Sequence, residues 1–393
     1  MTIPRIALTF AAAAALLAAP APAEDIKVGG IFDLTGVSSD VGRSYAQGVR
    51  DAVAWTNEHG GIEGKQIHLV DVDYGYRIPE AVAAYKRLRD DEKVVLINGW
   101  GTGDTEALKA QVADDRIPYF SASFSGALAD PAKSPYNFFA APSYSDELRA
   151  WLRWVKDDWK NPRPPRVALL YADNPFGRSP LEAARQYCKE IGIELVDEEV
   201  LPAVFPDAVS QLLNMKSKGA DYAYLNFTTT GVAILLRDAK RLAITTHFGS
   251  NPFGFGESLA LVAKDAAEGV TGVMPNAAFG ESVSGMNALI EFHSKHHPAD
   301  THDTLYVRGW TSVVVWVEAL RRASRAGAIT GERVKNALET LHDFDPGGLA
   351  TPVTYSPADH RPSTRTRIYV IADGKLKRLG DYDVPRKKEW LGY

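Results

Sequence analysis

The chain has 393 residues, 45% of them hydrophobic, and a formal net charge of −5 at pH 7. A chain of this size and composition is long enough to fill two hydrophobic cores. Acidic and basic residues are interspersed, so no lysine- or arginine-rich block suggests a nucleic-acid partner. The single cysteine, Cys188, excludes an internal disulfide, so stability has to come from burial.

Residues 1–23 have the pattern of a secretory signal peptide. Arg5 supplies the positive charge, Ile6–Ala19 is apolar, and Ala21-Pro22-Ala23 has small residues at the cleavage positions. The apolar run is too short for a membrane-spanning helix, so an uncleaved anchor is the less favoured alternative. We therefore expect cleavage before Glu24 and a mature protein in the periplasm.

A βαβ unit is predicted between Ile26 and Val72. The apolar run Ile26–Asp33 indicates a strand, apolar residues then recur at helical spacing, and Gly60-Gly61 ends the helix. The loop that runs to Gly42 is rich in hydroxyl groups and follows the first strand. Such loops, at the carboxyl ends of parallel strands, are where open α/β sheets bind small ligands. Ser39 in this loop is therefore a candidate ligand contact.

Strand and helix patterns alternate through most of the remaining chain. The predicted strands are Val94–Ile97, Tyr119–Ser121, Arg166–Tyr171, Glu194–Leu201 and Asp221–Phe227. The predicted helices begin at Thr105, Pro180, Asp207 and Gly231, and two more cover Leu305–Ala326 and Gly331–Leu341. Asp373-Gly374 predicts a β-hairpin near the end of the chain. This alternation predicts an α/β fold in which helices cover both faces of parallel sheets.

Several segments resemble the periplasmic solute-binding proteins of ABC importers, of the leucine/isoleucine/valine-binding type. They are Ile26–Gly36, Asn57–Lys65, Ile117–Ser121, Asn137–Ser143 and the late hairpin. The resemblance implies the hinged fold of periplasmic binding protein type I. In it, two Rossmann-like lobes with parallel sheets are joined by three crossover strands, and they close on a ligand in the cleft. We expect one lobe from residues 24–143 and 276–350, and the other from residues 144–275 and 351–393.

The resemblance places a ligand carboxylate at two loops of the first lobe. Gly101 and Thr102 stand between a strand and a helix, where free backbone amides suit a carboxylate oxygen, although such a sequence is also typical of a structural turn. By position, Thr102, Ser123 and Ser125 are the expected contacts. Phe124 is expected either to cover apolar ligand surface or to pack inside the lobe.

For the second lobe, the resemblance implies an aromatic lid at Phe176 and a hydroxyl contact from Thr230. Amino-acid binders of this type place an acidic residue, which pairs with the ligand ammonium, where Asn251 stands in this chain. A buried ammonium without a countercharge is costly. An aromatic acid or another carboxylate is therefore as well supported as an amino acid, unless Asp104 or Asp73 supplies the charge.

Aromatic residues are frequent in the loops that we place near the cleft. They are Trp100, Phe124, Tyr144, Phe176, Phe253 and Phe255. Aromatic walls suit flat apolar ligands, although hinge packing explains such residues equally well. Arg77 and Arg308 are candidate forks for a carboxylate, and each is also typical of a surface or interlobe salt bridge.

The sequence does not favour an enzyme. Residues 99–103 do not complete the dinucleotide pattern G-x-G-x-x-G. His293, His297 and His302 lack the glutamate of H-E-x-x-H, so a solvated helix face is favoured over zinc. We therefore expect no catalytic residues, no metal and no cofactor.

The expected function is that of the substrate-binding component of an ABC importer. The ligand would be a small amino acid or an aromatic or other carboxylate, and the protein partner a membrane permease. We expect a monomer that does not bind nucleic acid. The alternative is a soluble ligand-sensing receptor domain of the same fold.

Overall fold

The computed structural model describes residues 25–301 and 303–393. The predicted signal peptide, its cleavage site before Glu24, and His302 lie outside these residues. Within them, no helix is both long and apolar enough to cross a membrane. Cys188 is a buried free thiol.

The first sheet contains five parallel strands in the order β2-β1-β3-β4-β5. They are β1 (Ile26–Phe32), β2 (Ile67–Asp73), β3 (Ile97–Gly99), β4 (Tyr119–Ser121) and β5 (Asn137–Phe138). The connecting helices are α1 (Ser39–Glu58), α2 (Ile78–Arg87) and α3 (Thr102–Asp115). Every residue of β1 except Lys27 is buried. Such continuous burial is expected for a central parallel strand with helices on both faces.

The second sheet has seven strands in the order β12-β11-β10-β9-β8-β6-β7. They are β6 (Arg166–Ala172), β7 (Glu194–Leu201), β8 (Tyr222–Asn226), β9 (His247–Ser250), β10 (Thr271–Met274), β11 (Arg365–Ala372) and β12 (Lys375–Asp383). The predicted Asp373-Gly374 hairpin is present, because β11 and β12 pair antiparallel around it. Since β11 also pairs antiparallel with β10, the second sheet is mainly parallel and has an antiparallel edge.

The helices of the second lobe are α4 (Tyr144–Asp158), α5 (Pro175–Arg178), α6 (Leu181–Ile191), α7 (Val209–Ser217), α8 (Thr229–Arg241) and α9 (Glu257–Ala263). The chain then returns to the first lobe with α10 (Met286–His296), α11 (Thr304–Arg325) and α12 (Gly331–Leu338). It thus passes between the sheets three times in the described part of the chain: after β5, after β10 and before β11. The exact lobe boundaries stay a prediction.

Two glycines allow α1 and α11 to pack closely. A Cβ atom at Gly48 would lie 2.2 Å from the carbonyl oxygen of Tyr306, and one at Gly309 would lie 2.0 Å from that of Tyr45. Real Cβ atoms do not approach other atoms this closely, so each position requires glycine for this packing. This contact packs α11, from late in the chain, against α1, which follows β1.

Three helices begin earlier than the sequence pattern predicts. The first is α1, which starts at Ser39, so this residue belongs to a helical turn rather than to the loop. The others are α3, which starts at Thr102 instead of Thr105, and α8, which starts at Thr229 instead of Gly231. Serine, threonine and glycine are typical of the residues around helix starts, where backbone amides lack helical partners. The loops between strand and helix are therefore shorter than predicted.

Candidate functional site

A cavity of about 30 Å³ lies between the two lobes. Its lining residues follow the carboxyl ends of strands from both sheets: Ser38, Val41, Tyr76, Trp100, Gly101, Thr102 and Ala122 from the first lobe, and Tyr144, Phe176, Thr228 and Phe253 from the second. Ligands of open α/β sheets bind at these strand ends. A volume of 30 Å³ holds roughly one or two water molecules, so the described conformation is a closed one.

Hydrogen bonds across the cleft hold the lobes together. The backbone N–H of Thr230 donates to Oδ2 of Asp40 at 2.9 Å, and the hydroxyl of Ser179 donates to Oγ of Ser125 at 3.3 Å. Arg308 donates from Nη2 to the carbonyl oxygen of Pro252 at 3.2 Å. Every one of these bonds joins an element of one lobe to an element of the other.

Thr102 and Ser123 form a pair of hydroxyl groups at the start of α3. Their side-chain oxygens are 2.8 Å apart, and both residues are buried. The cap residue of α3 is Gly101, which has no side chain to bond to the first-turn amides. A helix start with free amides beside two hydroxyls can bind a carboxylate. Ser125 is not part of this pair, because its hydroxyl donates to Oε1 of Glu106 at 2.8 Å.

Aromatic rings form the second part of the site, with Phe253 at their centre. Its ring centroid lies 5.6 Å from that of Trp100, 5.5 Å from that of Phe124 and 5.9 Å from that of Phe176. Tyr144 joins the group at 6.1 Å from Phe253. Rings at these separations interact favourably and present an apolar wall. Together these five residues form what we call the aromatic wall.

Phe255 and Arg77 lie away from the cavity. Phe255 belongs to the core of the second lobe, where its ring fills the space that a Cβ atom at Gly272 would need. Arg77 is exposed at the surface and pairs with Glu80 at 3.6 Å. The sequence pattern had placed both residues near the cleft, but the pattern does not show which way a loop side chain turns.

Asn251, Thr230 and Ser39 are also absent from the cavity lining. The side-chain amide of Asn251 donates to the carbonyl oxygens of Leu225 and Phe227, and its oxygen accepts from the N–H of Phe253. The Asn251 side chain therefore shapes the loop that carries Phe253. Ser39 lines a separate polar groove outside the cavity.

The sequence predicts that the loop Ser38–Gly42 forms one wall of the cleft, and Ser38 and Val41 of this loop line the cavity, whereas Tyr76 was missed as a lining residue. Ser38 accepts a hydrogen bond from the indole N–H of Trp100 and donates its hydroxyl to Asp33. The signal for this contact in the sequence was an aspartate at the end of a strand, Asp33, with a serine in the turn that follows, because such pairs commonly form hydrogen bonds. Tyr76 has a φ of 57°, and no local pattern in the sequence announces this left-handed conformation.

Two buried carboxyl groups, one in α3 of the first lobe and one in α4 of the second, have raised pKa values. Burial raises the pKa of Asp104 to about 7, although Tyr74 donates its hydroxyl to Oδ1 at 2.8 Å. Burial also raises the pKa of Glu147 well above its usual range, and the nearby Arg308 guanidinium opposes this shift. Both oxygens of Glu147 lack a hydrogen-bond partner among the described residues. The guanidinium of Arg308 lies 4.5 Å from the ring centre of Phe253, directly behind the aromatic wall.

Within residues 25–301 and 303–393, no three histidine, cysteine or acidic side chains come together in a way that could hold a metal ion. The site combines a polar corner, formed by the Thr102–Ser123 hydroxyl pair and the start of α3, with the aromatic wall.

Comparison with known proteins agrees with this architecture. The family model for the periplasmic binding protein matches residues 25–375. Leu/Ile/Val-binding protein homolog 7 of Brucella melitensis is 30% identical over 385 residues, which cover 92% of this chain and 93% of the relative.

Two solved structures have the same fold along nearly their whole length. The ABC transporter substrate binding protein of Aeropyrum pernix is 28% identical with a TM-score of 0.87, covering 94% of this chain and 98% of that one. A branched chain amino acid ABC transporter from Thermus thermophilus with bound valine is 25% identical with a TM-score of 0.87, covering 92% and 97%. A family match of this length shows that the chain belongs to the periplasmic binding protein family, as a solute-binding protein and not an enzyme.

Proposed function

We propose that the protein is the periplasmic substrate-binding component of an ABC importer for a small aliphatic amino acid. The observation that carries the proposal is the interlobe cavity, which is lined by Thr102 and by four rings of the aromatic wall, Trp100, Tyr144, Phe176 and Phe253. Ser123, like Phe124 and Ser125, is not among the lining residues, but its hydroxyl is hydrogen-bonded to that of Thr102. This combination suits a ligand with a carboxylate at one end and an apolar side chain at the other. The names of the relatives, which refer to leucine, isoleucine and valine, favour an aliphatic over an aromatic side chain.

The ligand carboxylate is bound at the start of α3. One oxygen accepts from the first-turn amides, where the helix dipole favours negative charge. The other accepts from the hydroxyl of Thr102, which Ser123 orients through their 2.8 Å hydrogen bond. The aliphatic side chain is then covered by Phe176 and Phe253 from the second lobe. Burying a side chain of this size contributes about 1.5–3 kcal/mol.

In this mechanism ligand binding is coupled to closure of the two lobes. The cavity lies between lobes that are joined by hydrogen bonds across the cleft, so the lobes have to separate before the ligand enters. Only a closed state touches the ligand from both sides, so the ligand shifts the population towards closure. The closed form then presents both lobes to the membrane permease in one fixed arrangement.

Calorimetry on the mature protein tests this proposal. We would strip bound ligand by unfolding and refolding, and then titrate L-leucine, L-valine, phenylacetate and 4-methylpentanoate. Binding of the aliphatic amino acids, accompanied by a smaller radius of gyration in small-angle scattering, is the expected result. Tight binding of phenylacetate alone would instead assign an aromatic acid, and binding of none of the four would refute the proposal.

Two further measurements address export and the sensing alternative. Amino-terminal sequencing of the periplasmic fraction is expected to begin at Glu24. A reconstituted ABC permease encoded beside this protein should hydrolyse ATP faster when the liganded protein is added. Stimulation of a separate signalling receptor, with no effect on a permease, would favour the ligand-sensing role.

A further inference from the structure

We propose that Asp104 binds the ammonium group of the ligand and so makes the protein selective for α-amino acids over the corresponding carboxylic acids. This inference rests on the proposed function and deepens it, because it names the source of the missing countercharge. That source is in the first lobe, whereas the resemblance implies one in the second lobe, at the position of Asn251.

The position of Asp104 fits this role. It lies in the first turn of α3, two residues after Thr102, and it is only 2% exposed. In an α-amino acid the carboxylate and the ammonium are attached to the same carbon atom. A single helical turn can therefore contact both groups.

The carboxyl group of Asp104 lies next to Gly101, a lining residue of the cavity, although Asp104 itself is not among the lining residues. Gly101 lines the cavity, and a Cβ atom at this position would lie 2.3 Å from Oδ1 of Asp104 and 2.8 Å from the ring of Tyr76, another lining residue. Oδ1 already accepts a hydrogen bond from Tyr74 at 2.8 Å. Oδ2 is buried and has no hydrogen-bond partner among the described residues. It is a free acceptor beside the polar corner of the site.

The charge of Asp104 also has no cationic partner, although the backbone amides of Gly101 and of Asp104 itself favour the ionised form. No ion pair to it forms within the described residues, and the charged neighbour that acts on it is Asp33, another acid. A buried carboxylate without a cation is unfavourable, and a bound ammonium would offset this cost. The free acceptor and the charge without a cation thus require the same kind of partner.

The other candidate acids differ from Asp104 in exposure or in their charged neighbours. Asp73 is exposed, and it accepts hydrogen bonds from the hydroxyl of Thr35 and the backbone amides of Leu34 and Gly75. Glu147 is as deeply buried as Asp104, but it has Arg308 as its compensating charge. Asp104 is the acid near the cavity that combines a free buried oxygen with no cation.

Two carboxyl-to-amide variants test the proposal against two ligands. L-leucine carries the ammonium, and 4-methylpentanoate is the same molecule without it. We expect the wild type to prefer L-leucine, and Asp104→Asn to lose about 100-fold in affinity for L-leucine while binding 4-methylpentanoate at least as well. Glu147→Gln is the matched control, since it removes an equally buried carboxyl group, and it should keep the preference.

The outcomes separate this inference from the proposed function. A wild type that binds both compounds equally well would overturn the role of Asp104 but leave a carboxylate importer. Retention of the preference in Asp104→Asn, or its loss in Glu147→Gln, would also overturn the role of Asp104. A wild type that binds neither compound would overturn both proposals.

The direction of proton exchange provides a test on the wild type alone, in case Asp104→Asn fails to fold. With a pKa of about 7, Asp104 is partly protonated at neutral pH and has to release that proton to pair with an ammonium. Calorimetry in phosphate and in Tris should therefore show a net release of protons on L-leucine binding. Proton uptake would overturn the proposal, because it means that a protonated Asp104 donates to the ligand carboxylate.

The phenol groups around Asp104 do not contribute to this proton exchange. Tyr74, Tyr76 and Tyr119 are the phenols in its surroundings, and burial raises the pKa of each above its usual value, so they stay neutral.

Discussion

Asp40 caps a helix of the opposite lobe, so its replacement should shift the protein towards the open state. Oδ2 of Asp40 accepts the N–H of Thr230 at 2.9 Å, in the first turn of α8. The cap residue of that helix, Thr228, makes no side-chain hydrogen bond to it. The carboxylate from the first lobe thus replaces the missing cap, but only while the lobes are closed.

The size of the effect follows from helix capping. Loss of a capping oxygen costs about 1 kcal/mol. Because this contact exists only in the closed state, Asp40→Ala should lower the closed-to-open ratio about fivefold. Ligand affinity falls by up to the same factor, since binding then has to supply the lost closure energy. Asp40→Asn should lower the closed-to-open ratio less than Asp40→Ala does. Its amide oxygen still accepts the hydrogen bond but carries no charge to interact with the helix dipole.

Small-angle scattering and fluorescence energy transfer between the lobes can measure this shift. Glu58→Ala is the matched control, because Glu58 is an exposed acid at the other end of α1. We expect a larger radius of gyration for unliganded Asp40→Ala than for the wild type or the control. If Asp40→Ala kept the wild-type radius and the wild-type affinity for L-leucine, the capping argument would be refuted.

Three further predictions concern the site and its buried charges. Thr102→Ala should weaken L-leucine binding by about 1–3 kcal/mol in calorimetry, and an unchanged affinity would remove this hydroxyl from the site. Gly101→Ala places a Cβ atom 2.3 Å from Asp104, so the free energy of unfolding in urea should fall by about 1–3 kcal/mol. An unchanged urea midpoint would show that the turn relaxes freely. The raised pKa of Glu147 means that the folded state binds the extra proton, so wild-type stability falls as pH rises above the unfolded value of about 4.3. Glu147→Gln should reduce this decline between pH 5 and pH 8, and an identical decline in both proteins would contradict the assignment.

The sequence-based prediction was most successful for cavity-lining residues that directly follow a strand. Trp100, Gly101 and Thr102 were predicted because they follow a predicted strand, and Phe176 because the resemblance implies an aromatic residue at its position. All four line the cavity. The α/β fold and the late hairpin were predicted because local hydrophobic patterns and an Asp-Gly turn specify them. These features depend on residues that are neighbours in the sequence.

Side-chain direction within the loops could not be predicted. The hydrogen bonds of Asn251 to Leu225 and Phe227 depend on how β8 and β9 pair, and this pairing joins distant parts of the chain. The antiparallel edge was missed for a similar reason, because β10 and β11 are separated by the return of the chain to the first lobe. Such long-range pairings leave no local signature.

The strand order of the second sheet also determines when the protein can finish folding. The edge of β10 stays unpaired until β11 arrives, and the first lobe lacks α11 for most of synthesis. Neither lobe is therefore complete until nearly the whole chain is available, and contacts between distant segments form slowly. The connectivity that joins the two lobes thus also postpones their completion until late in synthesis.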